Sequence, residues 1–470
     1  MSKIALTGNA SGTGTLTISA PNTNSDRTIN IPDSAGDIVL SDMSTAGTSN
    51  LAIGVNAGNS IASGGNYNVA LGDEAGTAIN TGDNNTLVGY QAGDAITTGG
   101  GNVAIGAGAL SAGDTDSNSV AVGFNALNSL NVGGNSNVAV GFNALTNNVS
   151  GGNNTAIGTN ALTTQNTSGG ATDTNNTAIG NSALQSVTSG TSLTAVGSLA
   201  GDAITDGSNN VAVGVSALTT NTRGTKIVAV GNGAGRNFNQ TASTADTNNV
   251  FVGHNAAENA TTGGNNVVIG GDASAMSGSM HAGADLTTGT NNVFIGKGAT
   301  GSANNCDAQI ALGFECAGAS NTSLTFGKAA TDSNIDFGAT SITAPSDERY
   351  KENIQTSTAG LSFLNDLRPV TFQWKKEKDL PEDNRSYVKD SEKRVMECGD
   401  KTMHGFIAQE VKKVIDSHSE IKDGFRMWKE EESGDKRQRV APGELIPILV
   451  KAIQELSEKV TALETKLEAK

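Results

Sequence analysis

Positive charge is scarce over most of this chain: residues 1–345 hold seven Lys/Arg against 21 Asp/Glu, a net of −14. So few cations on so long a stretch give no electrostatic footprint for wrapping nucleic acid or an anionic membrane. Long apolar runs are missing as well. Without a run of about 18 apolar residues no membrane-spanning helix is expected, and the opening MSKIALTGNASGTG lacks the charged start and apolar core of a secretory leader. The expectation is a protein made in the cytoplasm that does not insert into a membrane or cross one by the usual route. Three cysteines, Cys306, Cys316 and Cys398, form neither an even disulfide framework nor a zinc spacing. No metal or cofactor is expected. Charge returns only at the end: residues 346–470 carry 23 basic and 25 acidic side chains, whereas 54 of the 60 glycines lie before Ser346. At least two regions built on different principles therefore meet near Pro345.

Abundant Gly and Asn with almost no Pro would by itself suggest disorder, because such a chain buries too little apolar surface to offset backbone entropy. A fixed period overturns that reading. The unit runs Asn-Val-Ala-Ile-Gly-x-x-Ala, as in Asn102, Val103, Ala104, Ile105, Gly106 and Ala109. Its glycine recurs sixteen times between Gly54 and Gly327, nine of the fifteen steps being 17 residues long. Longer steps leave the motif intact, so their extra residues belong in loops. The third residue after the glycine is Ala in every unit but one, where it is Cys316. Only close packing demands so small a side chain so regularly, and Cys316 reads as a small buried hydrophobe.

The Val-Ala-Ile run alternates branched and small residues, which suits a three-residue strand with one bulky and one small face, and the Gly turns the chain where a side chain would clash. Seventeen residues cannot hold a strand and a helix. They fit one coil of a narrow β-solenoid, and sixteen coils at about 4.8 Å each give a shaft on the order of 75 Å. These coils resemble the left-handed β-roll heads of trimeric adhesins, with their Ala-Ile-Gly-x-x-Ala turns, and the shafts of phage tail fibres. Those adhesins carry a leader and a membrane β-barrel anchor, neither of which is seen here, so the phage assignment is favoured. Calcium-binding glycine repeats would need regularly placed Asp, which the array lacks. The acidic pairs Asp73/Glu74 and Asp114/Asp116 read as solvated surface rather than the paired carboxylates of a glycan-cleaving cleft.

Ahead of the array, Gly14–Pro21 and Arg27–Asp33 alternate apolar and polar residues around a turn-rich Asn22–Asp26, the pattern of a hairpin. The segment is similar to a small module near the start of phage structural proteins, which implies attachment to other virion tail proteins. A simple β-cap over the first coil is the alternative.

Behind the array stands Ser346-Asp347-Glu348-Arg349-Tyr350-Lys351, directly after a proline. Read plainly, Ser346 is a helix N-cap with two acids in the first turn. Ser346 and Lys351 do not share a helical face at five-residue spacing, so cooperation between them requires Lys351 to fold back onto an extended Ser346. With Leu367–Lys375, His404–Val411, Leu445–Pro447 and Lys451–Leu456 following in order, the region resembles the C-terminal intramolecular chaperone of phage tail spikes and fibres. That resemblance implies a domain that assists trimerisation and then removes itself by a Ser/Lys dyad: Ser346 the nucleophile, Lys351 its general base, Arg349 a cationic neighbour favouring loss of the lysine proton. Both bonds flanking Ser346 are open to the cut, Ser346/Asp347 being the first choice, and a backbone N–H at the new helix start would hold the oxyanion. Turnover is single and no external substrate is implied.

At the end of the chain Ile446, Leu449, Ile453, Leu456, Val460, Leu463 and Leu467 alternate steps of three and four, a coiled-coil seam. Its alternative is an amphipathic helix packed on its own domain. His404 and His418 lack ligand spacing and read as structural or surface residues, and Trp374 and Trp428 read as chaperone core. The expected architecture is therefore mainly β: a β module over 1–45, a β-solenoid over 46–330, a linker over 331–345, and a small α+β chaperone over 346–470 ending in a coiled coil over 444–470. The expected protein is a homotrimeric virion tail fibre or appendage that contacts a host-surface glycan or outer-membrane component. An exported trimeric adhesin and a glycan-depolymerising spike are the alternatives.

Overall fold

A computed structural model describes residues 47–470, apart from 130–133, 166–171, 241–246, 272–280, 340, 344–345, 385, 397–398, 423, 432–435 and 470. The segment expected to form the N-terminal β module lies outside the described residues. The chain divides into two compact units, with the boundary between residues 345 and 346.

The first unit is a β-solenoid. Sixteen short strands, from Leu51–Ile53 to Ser323–Lys328, pair in parallel, each with the strand of the next coil. Register is strict: Ala104 faces Ala121, which faces Ala139. The middle residue of each three-residue strand is buried and its two neighbours point outward, so the inner row is mostly Ala, with Leu87, Phe251, Val268 and Phe294 in its place in four coils. The Asn that precedes most strands also turns inward; Ser119, Leu193, Ile227 and Gln309 take its place before four of them. Asn102 Oδ1 accepts the N–H of Ser119 in the next coil at 2.9 Å, and its Nδ2 donates to the carbonyl of Asp116 at 2.7 Å. Repeated as Asn85, Asn137 and Asn266, this column ties one coil to the next while satisfying buried amides; Asn154 keeps the Oδ1 bond to Asn176 N–H but leaves its Nδ2 without a partner among the described residues. The repeat glycine follows the strand at φ near +135°, and a Cβ at Gly106 would lie 2.4 Å from the carbonyl oxygen of Gly123. Stacking at strand spacing leaves no room for any side chain there.

The core beneath the Ala rows is filled in two interchangeable ways. In coils such as those of Leu127 and Leu145 the fourth residue after the glycine is a buried Leu held at positive φ. In others that position is Gly, and an apolar residue three further on, such as Ile79, Ile96 or Ile204, fills the space, while the Leu184 coil also buries Val187 and two later coils carry Ala257 and Thr300 there. The corner after this point is usually Gly; Asp116 and Cys306 take it in two coils, where each is the carbonyl partner of the Asn column. Asp116 is consequently buried, not solvated as its sequence context suggested, while Asp114 beside it is exposed. The ladder ends on a reversed strand: Ser333–Asp336 pairs antiparallel with Ser323–Lys328. The stretch expected as a plain linker thus begins by covering the last strand edge, which would otherwise offer unpaired backbone groups.

The second unit is α+β. Helices α1 (Leu361–Asp366), α2 (Ala408–Ser417) and α3 (Ile446–Glu468) accompany two antiparallel pairs, Val370–Phe372 with Met403–Gly405 and Trp428–Glu430 with Gln438–Val440. Phe363 of α1, Val411 and Ile415 of α2, Met427, and Ile448 of α3 form one small core. Helix α3 contributes through Ile448 and Ala452 only; Ile446, Ile453, Leu456, Leu463 and Leu467 are exposed. Trp428 packs beside this core, but Trp374 stays exposed against the edge of Phe372 rather than joining it.

Candidate functional site

Ser346 opens the second unit and is exposed. The expected α-helix is a single 3₁₀ turn, Glu348–Tyr350, and its N-cap is Asp347 rather than Ser346: the Asp347 carboxylate accepts the N–H of Arg349 at 2.9 Å. Because a 3₁₀ turn is short and tight, the chain is extended again at Lys351, whose N–H closes the turn on the carbonyl of Glu348 at 2.9 Å. That geometry answers the spacing problem. The Lys351 side chain runs back along the turn, and its Nζ donates to Ser346 Oγ at 2.7 Å.

Arg349 is directed elsewhere. Its guanidinium grips Asp347 through Nε at 3.0 Å and Nη2 at 2.5 Å, and this pairing holds the Asp347 carboxyl below the usual carboxylate range while raising the arginine. The cation expected to bear on Lys351 is thus balanced by its own neighbouring carboxylate. The N–H groups of Arg349 and Lys351 are both engaged within the turn, so neither is a ready oxyanion donor.

Three further interactions of this unit escaped sequence reasoning. Glu455 of α3 accepts the N–H of Leu361 at 2.9 Å, capping α1 across 94 residues. Arg368 forms a bidentate pair with Glu410 at the start of α2. His418, at the end of α2, bridges Asp366 and Glu420 through its two ring nitrogens, 2.9 Å each, with Phe363 packed edge-on against the ring. Asp366 first and Glu420 second raise the imidazole pKa above its ordinary value. His404 sits in a strand pair and is exposed. Apart from the His418–Glu420 pair, these contacts join residues 42 to 94 positions apart, which is why periodicity does not find them.

In the solenoid, Cys306 and Cys316 are buried thiols, with burial pushing Cys306 up to about 11. Neither has the exposure or cationic surroundings of a reactive cysteine. Among the described residues no group of three or more His, Cys, Asp or Glu is placed to hold a metal, and no helix is long and apolar enough to cross a membrane.

Residues 346–419 match the family Peptidase_S74, chaperone of endosialidase. The match begins on the serine that Lys351 contacts, and likeness of this segment to that family implies a self-cleaving, peptidase-like domain. Joined to a β-solenoid, it fits a phage tail fibre or tail spike carrying a C-terminal chaperone, and so a virion-associated protein. No curated protein and no solved structure gives a significant match to the chain.

Proposed function

We propose that the chain is a homotrimeric tail fibre or related appendage whose C-terminal unit assists folding and trimerisation of the solenoid and then cuts itself away at Ser346. The observation that carries the reading is the 2.7 Å contact between Lys351 Nζ and Ser346 Oγ at the first residue of the matched segment. Neutral Lys351 takes the Oγ proton as Oγ attacks the Ser346 carbonyl of a neighbouring copy, since attack on its own residue's carbonyl would close a strained four-membered ring. The amine of Asp347 leaves with that proton, and water then hydrolyses the ester. Both side chains are exposed in the single chain. Packing of neighbouring copies over this exposed pair would exclude water from it, which couples the cut to completion of the trimer. The retained part binds a host-surface receptor, a glycan or outer-membrane component, and residues 1–45 join it to other tail proteins.

Gel electrophoresis and intact mass of purified protein test the cut. The wild type should give a large fragment ending at Ser346 and a small one starting at Asp347, whereas Ser346→Ala and Lys351→Ala should each stay at full length. A wild-type chain that remains intact after prolonged incubation of the trimer sinks the reading.

A further inference from the structure

Among the described residues, nothing covers one face of the sixteen parallel strands. In each, the residues flanking the buried middle position point outward, giving two rows that run the length of the ladder. Those rows contain Val, Ile, Leu, Phe and four Thr (Thr86, Thr155, Thr177 and Thr194), and no charged residue at all. Leu51, Leu71, Ile105, Ile179 and Ile295 are each about two-fifths exposed, at 37–42%. Parallel sheets are ordinarily buried on both faces, and a contiguous apolar strip of this extent marks a contact surface.

We infer that this strip is the surface along which copies of the chain join, parallel and coil for coil, around an axis running along the shaft. The choice of three copies rests on the reading given above. A cover has to match the strip in length and pitch. At about 4.8 Å per strand the strip is on the order of 75 Å long. Helix α3, with 23 residues, spans about 35 Å at roughly 1.5 Å per residue and would cover less than half. Only the ladder itself repeats apolar rows at strand spacing over sixteen steps. Three residues at about 3.3 Å make the strip roughly 10 Å wide, so its flat footprint is on the order of 750 Å², close to the ~800 Å² per partner of a stable interface. Freedom from charge matters because the region around it is net −14. Acidic chains of one kind can meet here without opposing like charges.

The test uses full-length chains. Ile105→Glu/Val196→Glu places charges in the outer row; Thr98→Glu/Ser189→Glu places the same charges on exposed residues outside the strands. Light scattering should give a trimer for the wild type and the second pair, and smaller species for the first pair with β circular dichroism retained. If the first pair also loses β signal, Val103→Cys/Ile105→Cys decides. Oxidation should yield reducible inter-chain bands, which would also exclude residues 1–46 of the same chain or another protein as the cover. A trimeric Ile105→Glu/Val196→Glu variant, or cysteines that give no inter-chain band in a trimer, overturns this surface while leaving the trimer reading intact. A monomeric wild type overturns both.

Discussion

Asp116 places a carboxylate inside the solenoid where most coils put a corner glycine, and neither of its side-chain oxygens has a hydrogen-bond partner. Burial pushes its pKa up to about 6. An acid whose folded pKa exceeds its unfolded value costs stability only when ionised. The penalty is absent below pH ~4, grows between ~4 and ~6, and reaches roughly 3 kcal/mol above that. Asp116→Asn should therefore raise the melting temperature at pH 7 and leave it nearly unchanged at pH 3.5; equal shifts at both pH values would mean that charge is not the cause. His418 has the opposite sign. Its pKa is raised by Asp366 and then Glu420, so its ion pairs stabilise the second unit fully below pH ~6.5 and are lost as pH rises through the folded value. Helix ellipticity melts of the uncleaved Ser346→Ala protein should show stability declining with pH in that window, and His418→Gln should remove the decline. Burial of Asp116 was not legible in the sequence, because Asp114 two residues earlier is exposed and only the corner geometry separates them.

At the scale of the coil, the sequence shows the period, the strand and the obligatory small residues directly, since each recurs at fixed spacing. Which strand face is inner is harder to read. A three-residue strand is too short for alternation to decide, and the bulkier residues prove to be the outer ones. The core-filling exchange is a second such case. A Cβ on Gly93 would lie 2.7 Å from Leu87 Cδ2 and 2.9 Å from Ile96 Cδ1. Gly93→Leu alone should overpack the coil and cost about 1–3 kcal/mol. Leu87→Ala/Gly93→Leu/Ile96→Asn copies the Ala139/Leu145/Asn148 arrangement, in which Asn148 bonds the N–H and C=O of Gly151. In thermal melts the triple variant should recover most of the loss; a triple variant no better than the single one would show that the two fillings are not equivalent. The turn that brings Lys351 to Ser346 is the converse case. Five-residue spacing excludes a shared helical face, and only a 3₁₀ turn of three residues, which no periodic pattern announces, reconciles Ser346 with Lys351.

On the scale of the whole molecule, the change in composition at residue 345 and the boundary between the two units coincide, so the division was plain from charge and glycine counts alone. The chaperone resemblance was legible because its motifs stand in order, but the small core that Phe363, Val411 and Ile448 make across almost a hundred residues was not. Within the solenoid, every register pair is local to two adjacent coils, and the 17-, 18-, 22- and 26-residue steps all return to the same Asn, Ala and Gly positions. Such a stack is a ruler whose graduations are identical. Gain or loss of one period changes its reach by about 4.8 Å and leaves the remaining pairings as they were. The distance this part of the protein can span is thus set by counting repeats, separately from whatever its loops recognise.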